Sequence, residues 1–222
     1  MKRKVDFIND KRRISYLRAI YNRIYRGNSV LIEGNYGAGK TKFLELITPK
    51  KRKRICLESL DNIHEILASI LRQLDYEAIP TYRRTSKHLK MIKELSGFVI
   101  IIDEASDLDK RVWPYFKRII DARIPIIFTG LPKVRTFLLN EHPDIVSRLK
   151  ILTLYPIIVE DFIMEYNDFE PEAIEQIYSK TSGDMRKFSE VCEDCRDKAK
   201  ELELDMIELE MALSFLSELD LD

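Results

Sequence analysis

Ser29-Val30-Leu31-Ile32-Glu33-Gly34-Asn35-Tyr36-Gly37-Ala38-Gly39-Lys40-Thr41 decides the fold. Its first five residues form an apolar run of strand length that closes on an acid, and the next eight match G-x-x-x-x-G-K-[ST] at every fixed position. Small residues let successive backbone N–H groups curl round phosphate oxygens without Cβ clashes. A helix starting at Lys40 aims its positive end at the same anion. In that geometry Lys40 reaches the β- and γ-phosphates and the Thr41 hydroxyl ligates Mg2+. Gly34, Asn35, Tyr36, Gly37, Ala38, Gly39, Lys40 and Thr41 are therefore expected to hold a nucleotide. By average residue usage the pattern arises by chance in about 1% of chains this long, and here a strand and a helix also flank it.

Working outward, residues 10–26 place Ile14, Leu17, Ile20, Tyr21 and Ile24 at helical spacing, with Gly27 as the stop. Beyond the loop, helical spacing runs from Lys40 to Ile47, and residues 55–57 read as a second strand. Residues 60–75 and 85–95 read as helices, and Phe98 to Ile102 as a third strand, apolar enough to be central. A helix over 113–122, a strand over 124–128, a short helix over 133–139 and a fifth strand over 151–154 follow. Past Pro156 no strand-like run remains, and helices are expected over 159–166, 171–181, 184–200 and 204–218. The alternation implies an α/β domain over 1–155, a parallel five-stranded sheet with helices on both faces, then a small α-helical domain over 156–222.

A chain of 222 residues and 26.2 kDa, 45% hydrophobic, can bury a sizeable core. No apolar run approaches the ~18 residues of a membrane span, and none follows the N-terminus at signal-peptide length. The three cysteines fit a reducing compartment, so a cytoplasmic protein with no membrane partner is expected. The balanced charge, 37 against 37, conceals an asymmetry. Residues 1–54 carry 16 lysines and arginines against 4 acids, whereas residues 155–222 carry 6 against 20. A basic head suits a nucleic-acid surface, and head-to-tail attraction within or between chains explains it equally well. The excess of Ile, Lys, Arg and Glu, with only two glutamines, fits a hot habitat or an AT-rich genome.

Asp103 and Glu104 emerge from the buried strand Phe98–Ile102, where parallel sheets bind ligands. Beside a phosphate-binding loop, Asp103 is expected to hold Mg2+ and Glu104 to deprotonate an attacking water, which means hydrolysis of ATP as well as binding. Guanine readers carry an Asn-Lys-x-Asp pattern that is absent here.

With these motifs the sequence resembles the AAA+ ATPases, most of all the branch with Orc1/Cdc6-type initiators and the transposition ATPases of the TniB, MuB and TnsC kind. Gly34–Thr41 looks like Walker A, and 99–104 like Walker B. Ile126-Ile127-Phe128-Thr129-Gly130 resembles the fourth core strand, whose tip carries the sensor-1 residue, here Thr129 in place of the commoner Asn. Ser147-Arg148-Leu149 resembles the segment with the arginine finger, which implies that Arg148, with Arg135 in reserve, reaches nucleotide on a neighbouring subunit. Gly183-Asp184-Met185-Arg186-Lys187 resembles sensor 2, which implies a phosphate contact from Arg186, or from Lys187 if the register slips. The resemblance implies ATP and Mg2+, a homo-oligomeric ring or filament, and a helical lid. Initiators carry a winged-helix domain after the lid, and the expectation here is a compact ATPase without one.

Three signals are weaker. Lys50-Lys51-Arg52-Lys53-Arg54 is either a DNA contact or a solvated loop. Tyr82-Arg83-Arg84-Thr85-Ser86-Lys87-His88 is either a stretch along a pore or DNA path, or a solvated helix cap. Cys192 and Cys195 form a C-x-x-C without the further ligands that zinc needs. The expected function is an ATP-driven assembly factor in replication or transposition that binds DNA without sequence specificity. The alternative is a nucleotide-gated adaptor that engages a protein through its acidic lid.

Overall fold

In the computed structural model, residues 11–57, 62–163 and 166–219 are described. They divide into two compact units, one of residues 15–35 and 40–154, the other of residues 11–14, 36–39 and 155–219.

The first unit is a five-stranded parallel sheet in the order β2-β3-β4-β1-β5. Its strands are β1 (Ser29–Glu33), β2 (Lys53–Leu57), β3 (Phe98–Ile102), β4 (Ile126–Gly130) and β5 (Leu149–Thr153). Every residue of β1, β3 and β4 is buried, and because side chains alternate between faces this requires cover on both. One alternation, Leu31, Ile100, Ile102, Ile126 and Phe128, packs in a single core with α3 (Ile63–Gln73), α4 (Thr85–Glu94), α5 (Trp113–Asp121) and α6 (Pro132–Glu141). Trp113, Phe116 and Phe128 form its aromatic centre, with ring centroids 5.2–5.9 Å apart. The opposite alternation, Val30, Ile32, Val99, Ile101 and Ile127, is buried just as fully. Ile20 and Ile24 of α1 (Lys11–Tyr25), and Phe43 and Leu44 of α2 (Lys40–Glu45), are buried outside that core.

Local chemistry fixes several boundaries, among them the start of the short α7 (Pro143–Val146) on a proline. Asn62 caps α3 by accepting the Glu65 N–H at 2.9 Å. Pro125 has no N–H to give a ladder, so β4 starts at Ile126 and runs to Gly130, two residues beyond the apolar run at 124–128. β4 also takes the central place expected of β3, which lies second from the edge. Edge strand β2 extends back to Lys53 and Arg54, so the basic run at 50–54 is part strand. Asp10 of the expected first helix, and residues 60, 61, 164 and 165 of two others, lie outside the described residues.

The second unit is helical from residue 155 onward: α8 (Pro171–Lys180), α9 (Met185–Glu201) and α10 (Leu209–Leu219). Phe162, Tyr166 and Phe188 pack edge to face at 5.3–5.9 Å, beside Ile174, Ile177 and Leu216. Arg196 grips Asp168 with two hydrogen bonds, 2.6 and 3.0 Å, and lies over the Tyr166 and Phe169 rings. Cys192 and Cys195 are buried in this core, and burial pushes both thiols up, Cys195 to about 11. Among the described residues no three or more His, Cys, Asp and Glu side chains are grouped so as to hold a metal ion. A helix was expected over 159–166; among the described residues of that stretch, Val159–Asp161 form a 3₁₀ turn and not the start of an α-helix. α10 begins later than expected because Ile207 bridges to Phe169 instead. No helix among the described residues is long and apolar enough to cross a membrane.

Candidate nucleotide site

Because the strands are parallel, the chain leaves β1, β3 and β4 on one edge of the sheet, and four expected residues meet there. Asp103, just past β3, accepts the Thr41 hydroxyl at 2.8 Å on Oδ2 and the Thr129 hydroxyl on Oδ1. The Glu104 N–H donates to Asp103 Oδ1 at 3.0 Å and to Thr129 Oγ1 at 3.2 Å. One carboxylate thus ties the first turn of α2 to the tip of β4. Strand order makes this possible, since β4 lies between β1 and β3. Thr129 is fully buried and Glu104 exposed.

Glu104 has φ +55, in the left-handed region that side-chain-bearing residues rarely enter. Such strain clusters at functional positions, because surrounding structure must hold it. Here the two hydrogen bonds to its N–H do so. Lys40 turns back over the start of its own loop, its ammonium donating to the Gly34 and Asn35 carbonyls at 2.9 Å each. The Gly34 N–H is itself held by the Gly130 carbonyl at 3.1 Å.

Both candidate finger arginines are engaged with carboxylates. Arg148 donates from Nε to Asp121 at 2.7 Å, in a pair whose side chains are 39% and 43% exposed. Arg135 approaches Glu33 at 3.4 Å, and the Glu33 side chain is only 5% exposed. Thr153 also donates to Glu33, at 2.9 Å.

In the second unit, residues 36–39 lie against the start of α9. A Cβ on Gly37, whose φ is +72, would come within 2.2 Å of the Asp184 carboxylate. Asp184 also caps α9 by accepting the Arg186 and Lys187 N–H groups at 2.9 and 3.5 Å. The Arg186 and Lys187 side chains are exposed. Gly183, at φ +71, is required by its backbone and by Pro156 and Tyr178, each 3.0 Å from a Cβ there.

Solved structures share this architecture. The Aeropyrum pernix ORC2 protein, in ADPNP–ADP complexes, matches 96% of this chain over 68% of its own, at TM-score 0.73 and 15% identity. Drosophila ORC bound to DNA matches 99% over 70%, at 0.71 and 13%. The fold is the one these ORC structures share, as the resemblance to the AAA+ ATPases implied. The Thermotoga maritima RuvB Holliday junction branch migration motor has it too, matching 96% of the chain over 70% of its own, at 0.63 and 20% identity. At such identities the likeness is one of fold, and this chain spans 65–70% of the length of the ORC and RuvB structures. No family model and no curated protein matches the sequence.

On this frame, Thr41, Asp103, Glu104 and Thr129 converge as a group, and Lys40 lies over the loop that precedes it. Arg148 stands apart, at the beginning of β5. Sequence reading missed two residues. Glu33 was taken only as the end of an apolar strand, although an acid closing a buried run and preceding the glycine loop was a visible signal. Arg13, 1% exposed, was given no role of its own.

Proposed function

We propose that the protein is a Mg2+-dependent ATPase that assembles on nucleotide and acts on DNA, as a factor in replication initiation or transposition-type assembly. The observation that carries the ATPase reading is Asp103, whose two oxygens join Thr41 to Thr129.

Thr41 Oγ1 and Asp103 Oδ2, 2.8 Å apart, are a pair of oxygen donors of the kind a hard divalent cation takes, so they would hold Mg2+, Asp103 through water. A Mg2+ ion held by these two residues would supply neutralising charge to the phosphates. Lys40 exchanges two backbone carbonyls for phosphate oxygens, a gain because both partners are then charged. Glu104, its carboxyl in solvent and its backbone pinned, takes the proton of the attacking water. Thr129 sets that geometry from the buried side by accepting the Glu104 N–H. Arg186 contributes a further phosphate contact.

Arg148 is proposed to act on a neighbouring subunit. It immediately precedes β5, and β5 runs parallel to β1, so it stands at the far edge of the sheet from Thr41 and Asp103. Five strand residues at ~3.3 Å each separate those edges, too far for service to its own site. Its pair with Asp121 is exposed on both sides and costs at most about 1 kcal/mol to break. Arg135 fits worse, because its departure would leave the buried Glu33 carboxylate with the neutral Thr153 hydroxyl in place of a cation.

DNA binding draws support from exposed aromatic and basic residues between α3 and α4. Tyr76, Ile79 and Tyr82 are 42%, 55% and 81% exposed, with Arg83 and Arg84 exposed beside them. The run at 50–54 contributes less than its charge promised. Lys53 pairs with Asp75, and Arg52 and Arg54 donate to the Phe98 and Leu44 carbonyls. One observation favours the adaptor reading: four large apolar side chains of the acidic lid, Leu202, Leu204, Met206 and Leu213, are exposed by 42–52%.

The test is ATP turnover at rising protein concentration, with and without duplex DNA at low salt. A specific rate that climbs with concentration, climbs further with DNA and collapses in Arg148→Ala supports the assembly reading. A flat rate indifferent to DNA overturns it and leaves the lid as the partner surface.

A further inference from the structure

Arg13 is the one charged side chain among the described residues that is almost wholly buried and still unexplained. A guanidinium cannot shed its proton in a protein, so its burial requires partners that outweigh a large desolvation cost. Arg13 Nη2 donates to the Ala38 carbonyl at 2.9 Å and to the Tyr155 carbonyl at 3.2 Å. Charge-assisted bonds to backbone carbonyls restrain the peptides that carry them. One of these peptides, Ala38–Gly39, lies inside the glycine loop.

From this we infer that Arg13 is a positioning residue for phosphate, acting through the Gly39 N–H. The inference rests on the nucleotide reading of the loop. A trans peptide is planar, with its C=O and N–H pointing opposite ways, and no cis peptide occurs among the described residues. With the Ala38 oxygen drawn toward Arg13, the N–H of Gly39 is turned away from it. The alternative orientation would aim the positive end of the peptide dipole at a buried cation and lose the charge-assisted bond to the Ala38 oxygen. Gly37 and Gly39 have φ of +72 and +76, so the loop alternates into the left-handed conformation that makes N–H groups converge on an anion. Glycine alone does not choose this arrangement, since it visits many others freely. Arg13 supplies the choice. The remaining tip contacts hold the neighbouring peptide, because Met185 donates its N–H to the Gly37 carbonyl at 3.4 Å.

The test uses the full chain, with Mg2+ and pyrophosphate as the probe because only the phosphate subsite is at issue. In wild type, the Gly39 amide should shift downfield in 1H–15N spectra on titration with pyrophosphate. Arg13→Gln should bind pyrophosphate about tenfold more weakly, the weight of one charge-assisted hydrogen bond, and lose the Gly39 shift. Arg13→Lys, which keeps the charge and lacks the fork, should fall between them. Thermal melts establish that each variant is folded at the assay temperature. A folded Arg13→Gln that binds like wild type, with the same Gly39 shift, overturns the inference and leaves the nucleotide reading intact. Should both variants unfold, a wild-type Gly39 amide that does not move on binding overturns it alone. If wild type itself binds no pyrophosphate and Lys40→Ala is no different, the nucleotide reading has failed as well.

Discussion

Thr129→Val replaces the buried hydroxyl between Asp103 and Glu104 with a methyl group of the same size. Two hydrogen bonds go, one to a carboxylate and one from the Glu104 N–H. No group is orphaned, because Glu104 N–H keeps Asp103 Oδ1 at 3.0 Å and Asp103 Oδ2 keeps Thr41 at 2.8 Å. The stability loss should therefore be that of a hydrogen bond to a charged group, about 2 kcal/mol, without a burial penalty on top. Turnover should suffer more. Glu104 is held at φ +55 by those contacts, and with one released its carboxylate drifts from the water it deprotonates. A misplacement of about 1 Å costs on the order of 100-fold in rate, so kcat should fall 10- to 100-fold while KM for ATP barely changes. Thr129→Ser, which keeps the hydroxyl, should recover most of it. Steady-state turnover beside a thermal melt reads both effects. A Thr129→Val enzyme within twofold of wild-type kcat refutes the argument that this hydroxyl positions Glu104.

Other expectations follow from the cores and the buried titratable groups. Burial raises the Cys192 and Cys195 thiols and leaves Cys56 exposed, so a native thiol titration near pH 8 should find one fast cysteine and denaturant should release the others; fast reaction of all three contradicts the packing. Phe128→Ala, at the meeting of Trp113 and Phe116, should cost about 3–5 kcal/mol by denaturant titration, and a loss below 1 contradicts that core. His88 is held below its ordinary 6.5 by burial and then by Arg84 and Lys87. The unfolded chain therefore takes up the proton first, and this stability contribution fades as pH falls from about 6.5 toward the lower folded value. His88→Gln should flatten the drop in Tm between about pH 7.5 and 5.5, and an unchanged slope speaks against the assignment.

The glycine loop, the sheet class and the acidic pair after β3 were legible because each is a local pattern whose chemistry dictates its residues. The limits of β4 were less so. An apolar run at 124–128 ignores both the missing N–H of Pro125 and the pairing of Thr129 and Gly130 with β1, which is a matter of tertiary register. The first residues of β2 were hidden for a related reason, since an edge strand tolerates lysine and arginine on its open side. Composition made the run at 50–54 look like a free basic surface, although three of its five side chains are already committed to Asp75 and to backbone carbonyls. Arg13 did leave a trace. It stands seven and eleven residues before Ile20 and Ile24, the two fully buried apolar positions of α1, and so on the same helical stripe. That trace says nothing of what the arginine binds, because its two acceptors, at 38 and 155, are remote in sequence.

The most direct measurement is ATP binding and single-turnover hydrolysis, side by side, for wild type and Glu104→Gln in the presence of Mg2+. The account predicts that both proteins bind ATP with similar affinity, that wild type converts it to ADP and phosphate, and that the variant holds it unhydrolysed. Failure of wild type to bind ATP, or equal hydrolysis by both, would contradict the assignment of this site.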